Sequence, residues 1–367
     1  MDKYIFLQQY WWFLISLLAG ILVFLLFVQG GQTLIYNLGK GKTEKEQIIG
    51  AIGLKWEFTF TTLVTFGGAF FASFPLFYST SFGGAIYVWM AILFCFIIQA
   101  VSYEFRKKPS NFIGDKTYDL FLFLNGLLGT ILLGCAVGTL FTGGEFIVNR
   151  ANIATLTSEN VISVWQNSFR GLEAVLDYRN VALGIAVFFL SRILAIHYFY
   201  NAIDSDVIKE KSKKTLLVSS LAFLVFFLTF FVSILFSKGV EVDPATNTAA
   251  WVDGKYFTNM LELPIVSLFL VAGVVAVLVS LWLGITKQSP KTIWISGIGT
   301  VVTVTSLLLL AGYNNTAYYP SLSEVNSSLS ITNSSSSEFT LNTMAYVSIG
   351  IPFVLAYIWY AWKKMHK

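Results

Sequence analysis

A small set of polar side chains lies inside or beside long apolar runs of this sequence, and these residues could carry chemistry. They are Gln29, Gln32, Glu57, Gln99, Glu104, Asp119, Asn125, Arg192 and His197. An ionisable group at membrane depth costs about 2.5–3.5 kcal/mol on insertion scales, so it needs a partner or a function. We interpret Gln29, Gln32, Gln99 and Arg192 as buried polar or interface candidates.

Glu57 follows Trp56 at the mouth of a long run that carries no further charge. A carboxylate that is partly removed from water at such a place can pass protons, which makes Glu57 a proton-path candidate. The alternative is an ordinary acid in the first turn of a helix, where the helix dipole favours negative charge. The sequence leaves both interpretations open.

Arg192 lies within an apolar run and cannot be neutralised by losing a proton. It should face a carboxylate, carbonyl groups, a water cavity or a partner subunit, either at an interface or in a pair inside the bundle. Residues 29–32 (QGGQ) form a polar break after the first apolar run. They predict a helix that unwinds there or packs tightly against a neighbour.

The residues that usually hold haem or metal are scarce. His197 is the histidine within an apolar run, His366 lies near the C-terminus, and Cys95 and Cys135 both lie in apolar runs. A haem protein needs axial His, Met, Cys or Tyr ligands, so we predict that this chain binds no haem itself. We assign no catalytic, cofactor-binding or metal-binding residue, and no nucleotide-binding or protease motif is present.

The high hydrophobic and low charged content of the chain indicates a membrane protein. Hydrophobic residues make up 56% of the 367 residues and charged residues only 12%, whereas soluble domains carry about 25% charged residues. Runs long enough to span a bilayer number about nine, at residues 11–29, 58–78, 84–101, 120–141, 181–200, 216–236, 265–285, 293–313 and 346–362. We therefore predict an all-α polytopic membrane protein.

The spacing of these runs predicts two four-helix bundles and one peripheral C-terminal helix. The bundles comprise residues 1–142 and 181–313, and residues 343–367 form the last span with a basic tail. Residues 143–180 have apolar side chains at helical spacing from Trp165 to Leu176, which predicts a surface helix. Residues 314–342 are rich in Ser and Asn and predict a loose loop.

The basic residues fall in alternate connections: Lys40, Lys42, Lys45, Lys55, Arg106, Lys107, Lys108, Lys116, Lys209, Lys211, Lys213, Lys214, Lys287, Lys291, Lys363, Lys364 and Lys367. Positive charge favours the cytoplasmic side, so we expect the N-terminus outside and the C-terminus in the cytoplasm. The intervening loops are then extracytoplasmic.

Several short segments, in order along the chain, carry a family resemblance. They are residues 11–12 (WW), 29–32 (QGGQ), 56–57 (WE), 67–75 (GGAFFASFP), 103–106 (YEFR), 134–138 (GCAVG), 341–344 (LNTM) and 362–364 (WKK). On these segments the chain resembles subunit II of cytochrome bd-type quinol oxidases, the partner of the haem-bearing subunit I.

The resemblance implies a complex in the bacterial cytoplasmic membrane that oxidises quinol and reduces oxygen to water at haems b and d in subunit I. Subunit II is then a supporting half that lines part of a cytoplasmic proton path, and the family's Trp-acid pair falls on Trp56 and Glu57. Expected partners are subunit I and membrane lipid, with quinone and small accessory subunits as further candidates and no nucleic acid. The alternative function is a stand-alone multi-span transporter with a polar path around Arg192, Asn125 and Glu57.

The chain departs from the family pattern at three places. Where many members have Asp-Gly-Phe-Asp, residues 29–32 carry two amides, which cannot relay a proton as acids. An Arg-Pro found in some members is replaced by Gln99 and Ala100, and the usual Asp of the Trp-acid pair is Glu57.

Overall fold

The structure is a computed structural model that describes residues 2–153 and 161–365, so His366 lies outside the described residues. The α-helices are α1 (Lys3–Leu25), α2 (Phe27–Leu38), α3 (Lys42–Gly53), α4 (Trp56–Ser73), α5 (Pro75–Tyr78), α6 (Ile86–Phe105), α7 (Asp115–Leu124), α8 (Thr130–Thr142), α9 (Tyr178–Ala202), α10 (Asp206–Leu235), α11 (Lys255–Glu262), α12 (Pro264–Lys287), α13 (Thr292–Gly312), α14 (Ile331–Ser334), α15 (Glu338–Ser348) and α16 (Ile351–Met365).

Six short strands form three antiparallel pairs outside the helical bundle. They are β1 (Phe146–Val148) with β2 (Ser163–Trp165), β3 (Lys238–Val242) with β4 (Ala249–Asp253), and β5 (Ala317–Tyr319) with β6 (Leu329–Ser330). Two helical turns have the wider π geometry, at Ser79–Gly84 and Asn125–Gly129.

Helices that are long and apolar enough to cross a membrane confirm the predicted fold class. Within the described residues there are seven, and the longest, Lys3–Leu38, joins α1 to α2 through Leu26. Its 36 residues extend about 54 Å at 1.5 Å per residue.

The two further predicted spans are interrupted, so the count of nine stays a prediction. The run at 58–78 breaks after α4 because Phe74 is not helical (φ −133°) and precedes Pro75. The run at 346–362 breaks between α15 and α16 at residues 349–350.

The two predicted halves pack against each other rather than standing apart. Helix α9 contacts α2, α8 and α10, and α1 lies along α13. Glycines permit these close approaches, since a Cβ on Gly134 of α8 would lie 2.6 Å from the Cα of Gly184 on α9. The division of the chain at residues 142 and 181 stays a prediction.

The surface helix predicted within residues 143–180 is wrong for the described part. Trp165 ends strand β2, and between Trp165 and Asp177 only the 3₁₀ turn Leu172–Leu176 is helical. The helix cannot run through because Arg170 (φ 39°) and Gly171 (φ 97°) are both left-handed. The segment folds back onto the bundle, where the Trp165 indole donates to the Thr80 carbonyl oxygen at 2.7 Å.

The loose loop predicted for residues 314–342 is also wrong. This segment contains β5, β6 and α14, and α15 begins within it. The Tyr318 side chain is fully buried and packs against the rings of Trp12, Phe74 and Phe77. Aromatic burial therefore outweighs the Ser and Asn content that suggested disorder.

The connections collect at two ends of the bundle. We call the end where residues 40–55, 106–119, 201–214 and 287–291 lie the basic end. Its contacts include Lys45 with Asp119, Ala51 with Tyr198 near the end of α9, and Lys209 with Gln288. We call the opposite end, which carries β1 to β6, the strand end. The N-terminal turns of α1 lie there, because Trp11 donates to the Leu341 carbonyl oxygen at 3.0 Å.

Candidate functional site

Four buried amide side chains meet in the interior of the bundle, and we call them the amide cluster: Gln29, Gln32, Gln99 and Asn125. Each is 0% exposed. The Gln99 Oε1 atom accepts from Gln29 Nε2 at 2.6 Å, from Gln32 Nε2 at 2.8 Å and from Asn125 Nδ2. Asn125 Nδ2 also donates to Gln32 Oε1 at 2.8 Å. Three predicted polar candidates therefore contact one another.

Helix α2 brings Gln29 and Gln32 into the cluster by staying helical through the glycine pair between them. A Cβ on Gly30 would collide with the carbonyl group of Ser191 on α9, and one on Gly31 would lie 2.7 Å from Ile52 of α3. Of the two alternatives drawn from the sequence, tight packing is therefore correct and unwinding is wrong. Two helices can approach α2 on these sides because no side chain intervenes.

Asn125 enters the cluster from the π turn between α7 and α8. Such turns interrupt a helix locally, and they occur frequently at functional sites. The sequence marked Asn125 as an intramembrane polar residue but gave no signal for the π turn. The cluster thus joins α2, α6 and the fourth predicted span.

The cluster leaves three amide atoms without a hydrogen-bond partner in the described part of the chain: Gln29 Oε1, Gln99 Nε2 and Asn125 Oδ1. Exchanging oxygen and nitrogen on all four side chains would break one of these bonds, because the Gln99 amide nitrogen has only two N–H groups for three acceptors. Amides do not gain or lose protons near neutral pH, so the cluster can crosslink helices but cannot store a proton.

The cluster extends toward the basic end through Tyr103. The Tyr103 hydroxyl accepts from Gln32 Nε2 at 3.2 Å, and its ring stacks on Trp56 with a centroid separation of 5.9 Å. Gly53 leaves room for the ring, because a Cβ there would lie 3.2 Å from it. Trp56 begins α4 and carries Glu57 as its neighbour.

Glu57 itself lies in the first turn of α4 and is exposed on the surface of the chain. No hydrogen bond or ion pair joins its carboxylate to another described residue, and the residue before α4 makes no side-chain cap. The position suits the helix-dipole interpretation, and it also leaves the carboxylate open to a partner. The proton-path role stays a prediction.

Lys55, directly before α4, is 0% exposed. Burial disfavours its charged form and lowers the pKa of its amine to about 8. Its Nζ atom lies 5.9 Å from the centre of the Phe58 ring.

Arg192 is 8% exposed and lies on α9 beside the crossing with α2. Its Nη1 atom donates to Thr33 Oγ1 at 3.0 Å and reaches the Thr33 carbonyl oxygen at 3.5 Å, and the guanidinium lies 5.5 Å from the centre of the Phe188 ring. Among the described residues its Nε atom has no hydrogen-bond partner, and no carboxylate lies within 4 Å of the guanidinium. Of the expected surroundings, the structure places a carbonyl group here, and it adds the Thr33 hydroxyl, which was not predicted.

A network of five charges closes the basic end, and sequence reasoning missed it. Arg106 Nε donates to Asp119 Oδ1 at 2.7 Å with both side chains nearly buried, and Arg106 Nη1 donates to Glu46 Oε1 at 2.9 Å. Lys45 lies 3.7 Å from Asp119, and Lys107 pairs with Glu46. Burial alone would raise the pKa of the Glu46 carboxyl. Hydrogen bonds from Lys107 and Arg106 outweigh this effect and hold that pKa below its ordinary value. The network fastens α3 to the ends of α6 and α7.

The implied haem does not fit against His197, the histidine that the structure describes. His197 is fully buried, and its Nδ1 lies 3.1 Å from Ser296 Oγ. Its Nε2 faces Gly284, where a Cβ would lie only 2.5 Å away, so a porphyrin has no room against it. Cys95 and Cys135 are buried free thiols. Across residues 2–153 and 161–365, no group of three or more His, Cys, Asp or Glu side chains could hold a metal ion.

Comparisons with known proteins agree with the resemblance drawn from the sequence rather than with a stand-alone transporter. The family described as cytochrome bd terminal oxidase subunit II matches residues 7–365. A probable cytochrome oxidase subunit 2 of Haemophilus influenzae is 26% identical over 380 residues, covering 100% of this chain and 96% of the relative.

Cytochrome bd-I ubiquinol oxidase subunit 2 of Escherichia coli is 25% identical over 378 residues, covering 99% of this chain and 95% of the relative. The solved structure of bd oxidase from Geobacillus thermodenitrificans matches with a TM-score of 0.65 at 13% identity, covering 98% of this chain and 97% of the other, and shows likeness of fold alone. These relatives and the apolar helices indicate a multi-pass protein of the bacterial inner membrane that works in a terminal quinol oxidase. The chain belongs to the cytochrome bd terminal oxidase subunit II family.

Proposed function

We propose that this chain is the non-haem subunit of a quinol:oxygen oxidoreductase and that haems b and d are held by its partner, subunit I. The packing of His197 carries this proposal, since its imidazole is fixed by Ser296 and closed off by Gly284. Quinol oxidation and oxygen reduction then occur on the partner. This chain contributes helices, an interface and a route for protons.

One surface of α4 suits a partner subunit better than lipid. The exposed residues Glu57, Thr61, Thr65 and Gly68, which we call the α4 face, are charged, hydroxylated or small. Two large apolar side chains of the same helix, Val64 and Phe71, are also exposed, at 58% and 62%. The exposed surface of α12, by contrast, carries large apolar side chains such as Leu268, which is 68% exposed. Small residues let helices approach closely in a bilayer, so we propose that subunit I packs on the α4 face and lipid on α12.

Glu57 stands at the end of the α4 face that lies nearest the basic end. We take the basic end as cytoplasmic, with the N-terminus outside and the C-terminus in the cytoplasm. A partner covering the α4 face would enclose the Glu57 carboxylate between the two subunits. Glu57 then accepts protons from the cytoplasm and passes them toward subunit I.

The amide cluster supports this site without carrying protons. Gln32 holds the Tyr103 hydroxyl, and Tyr103 holds the Trp56 ring beside Glu57. Quinone and small accessory subunits stay further candidate partners. A purely structural subunit, with no proton role, is the competing possibility.

The test uses the complex purified after expression of this chain with its neighbouring subunit. Co-migration of both subunits with a haem d absorption band supports the assembly, and migration of the chain alone without that band refutes it. Glu57→Gln should then slow turnover and alter its pH dependence, because an amide cannot relay a proton. Glu210→Gln, an exposed acid at the start of α10, is the matched control. Unchanged turnover and pH profile in Glu57→Gln would leave only the structural role.

A further inference from the structure

An apolar cavity of about 90 Å³ lies at the centre of the chain, where the two predicted halves meet. Its walls come mainly from α1, α8, α9, α10 and α13, with Phe66 of α4 and Trp89 of α6. Only apolar atoms face the space, although Thr300 and Thr303 of α13 are among its neighbours. The cavity therefore lies between helices from both halves.

The chemistry and size of the cavity restrict what can occupy it. A buried water needs two to four polar partners, and an apolar cavity of this kind stays dry. An engineered apolar cavity of about 150 Å³ binds benzene or xenon. A space of about 90 Å³ is smaller than that and suits an atom or a diatomic molecule rather than a ring with a long chain.

We propose that this cavity is a binding site for small apolar gas molecules and that its physiological occupant is dioxygen. The identification of dioxygen rests on the proposed oxidase function, whereas the affinity for an apolar gas rests on the cavity alone. Dioxygen is uncharged, forms no strong hydrogen bonds and dissolves better in hydrocarbon than in water. A dry space inside the bundle therefore concentrates it within the complex that consumes it.

Trp89 keeps this cavity apart from a second, polar one. The polar cavity, about 300 Å³, lies at the strand end, and the carboxylates of Glu145, Glu173 and Asp177 are among its lining groups. Trp89 lines both spaces. Its ring stacks on Phe82 at a centroid separation of 4.0 Å, which holds the Trp89 side chain in place. The indole therefore lies between water in the polar cavity and the apolar cavity.

Xenon tests the site directly, because it is apolar, fits small cavities and gives strong anomalous scattering. Crystals of the purified oxidase complex under xenon pressure should show a peak inside the cavity. Ala186→Leu and Val304→Phe each extend a lining side chain into the space and should abolish the peak. Ala272→Leu and Val275→Phe make the same changes on the exposed side of α12 and should retain it.

The same four variants test the assignment of dioxygen. The two filling variants should raise the KM for oxygen and leave kcat unchanged, because the chemistry is remote, and the two controls should match the parent. A parent complex without a xenon peak, or with density for a lipid chain or quinone in the space, overturns the gas site. A xenon peak without any change in the KM for oxygen overturns dioxygen as the occupant. If the complex lacks oxidase activity altogether, the proposed function fails, and the xenon result still decides the cavity.

Discussion

Replacing Gln99 by leucine should destabilise the chain by about 2–4 kcal/mol. Gln99 Oε1 is the sole acceptor for Gln29 Nε2, so the variant leaves that buried donor without a partner. A stranded buried donor costs about 1–3 kcal/mol. Gln32 and Asn125 each lose one bond but keep another, to Tyr103 and to Gln32 Oε1, and a bond between membrane helices is worth about 0.6 kcal/mol on average.

The measurement is the unfolding midpoint of the purified protein in mixed micelles. Gln166→Leu, which makes the same change at an exposed position, should match the parent. The double variant Gln29→Leu with Gln99→Leu should recover part of the loss, because replacing both partners by apolar groups removes the stranded donor. The reasoning is refuted if Gln99→Leu unfolds at the parental midpoint, or if the double variant loses as much as both single variants combined.

Three further predictions concern the packing and the charges at the basic end. Gly30→Ala should lower stability by about 1–3 kcal/mol because its Cβ collides with α9, whereas Gly50→Ala, with nothing within 4 Å, should match the parent in the same unfolding assay. Asp119→Asn should cost about 3 kcal/mol by leaving the nearly buried Arg106 with one carboxylate fewer, and a parental midpoint would contradict this. Stability should rise as the pH increases from about 8 toward 10.5, because the unfolded chain then holds a proton on Lys55 that the folded chain has lost. Lys55→Met should remove that part of the rise between pH 8 and 10.5, and a variant that keeps the full slope would show that another group causes it.

The sequence predicts much of the architecture and part of the site. Apolar runs and basic connections are local signals, so the helical class and the segments that gather at the basic end follow from them. Gln29, Gln32 and Gln99 were each predicted as buried polar residues, but their mutual contact depends on which helices are neighbours and how each is rotated. Those contacts join residues about 70 positions apart, which no local pattern encodes.

Two failures have the same physical origin. The segment 314–342 was predicted to be a loose loop because it is rich in Ser and Asn, yet burial of Tyr318 against three aromatic rings holds it in place. Asp119 and Arg106 were read as separate charges because each lies at the edge of a different span. In both cases a few contacts between residues far apart in the sequence determine the structure. The composition of a segment does not show which distant residues it will contact.

The N-terminal turns of α1 contact partners that lie far along the chain. Trp11 donates to a carbonyl oxygen 330 residues further along, and Tyr4 donates to the carbonyl oxygen of Ser336. Helix α1 therefore gains these contacts only after more than 300 further residues have been made, and a chain stopped before residue 330 would present unpaired indole and phenol groups on α1. A protease or chaperone that recognises such groups could tell a finished subunit from an interrupted one before assembly begins.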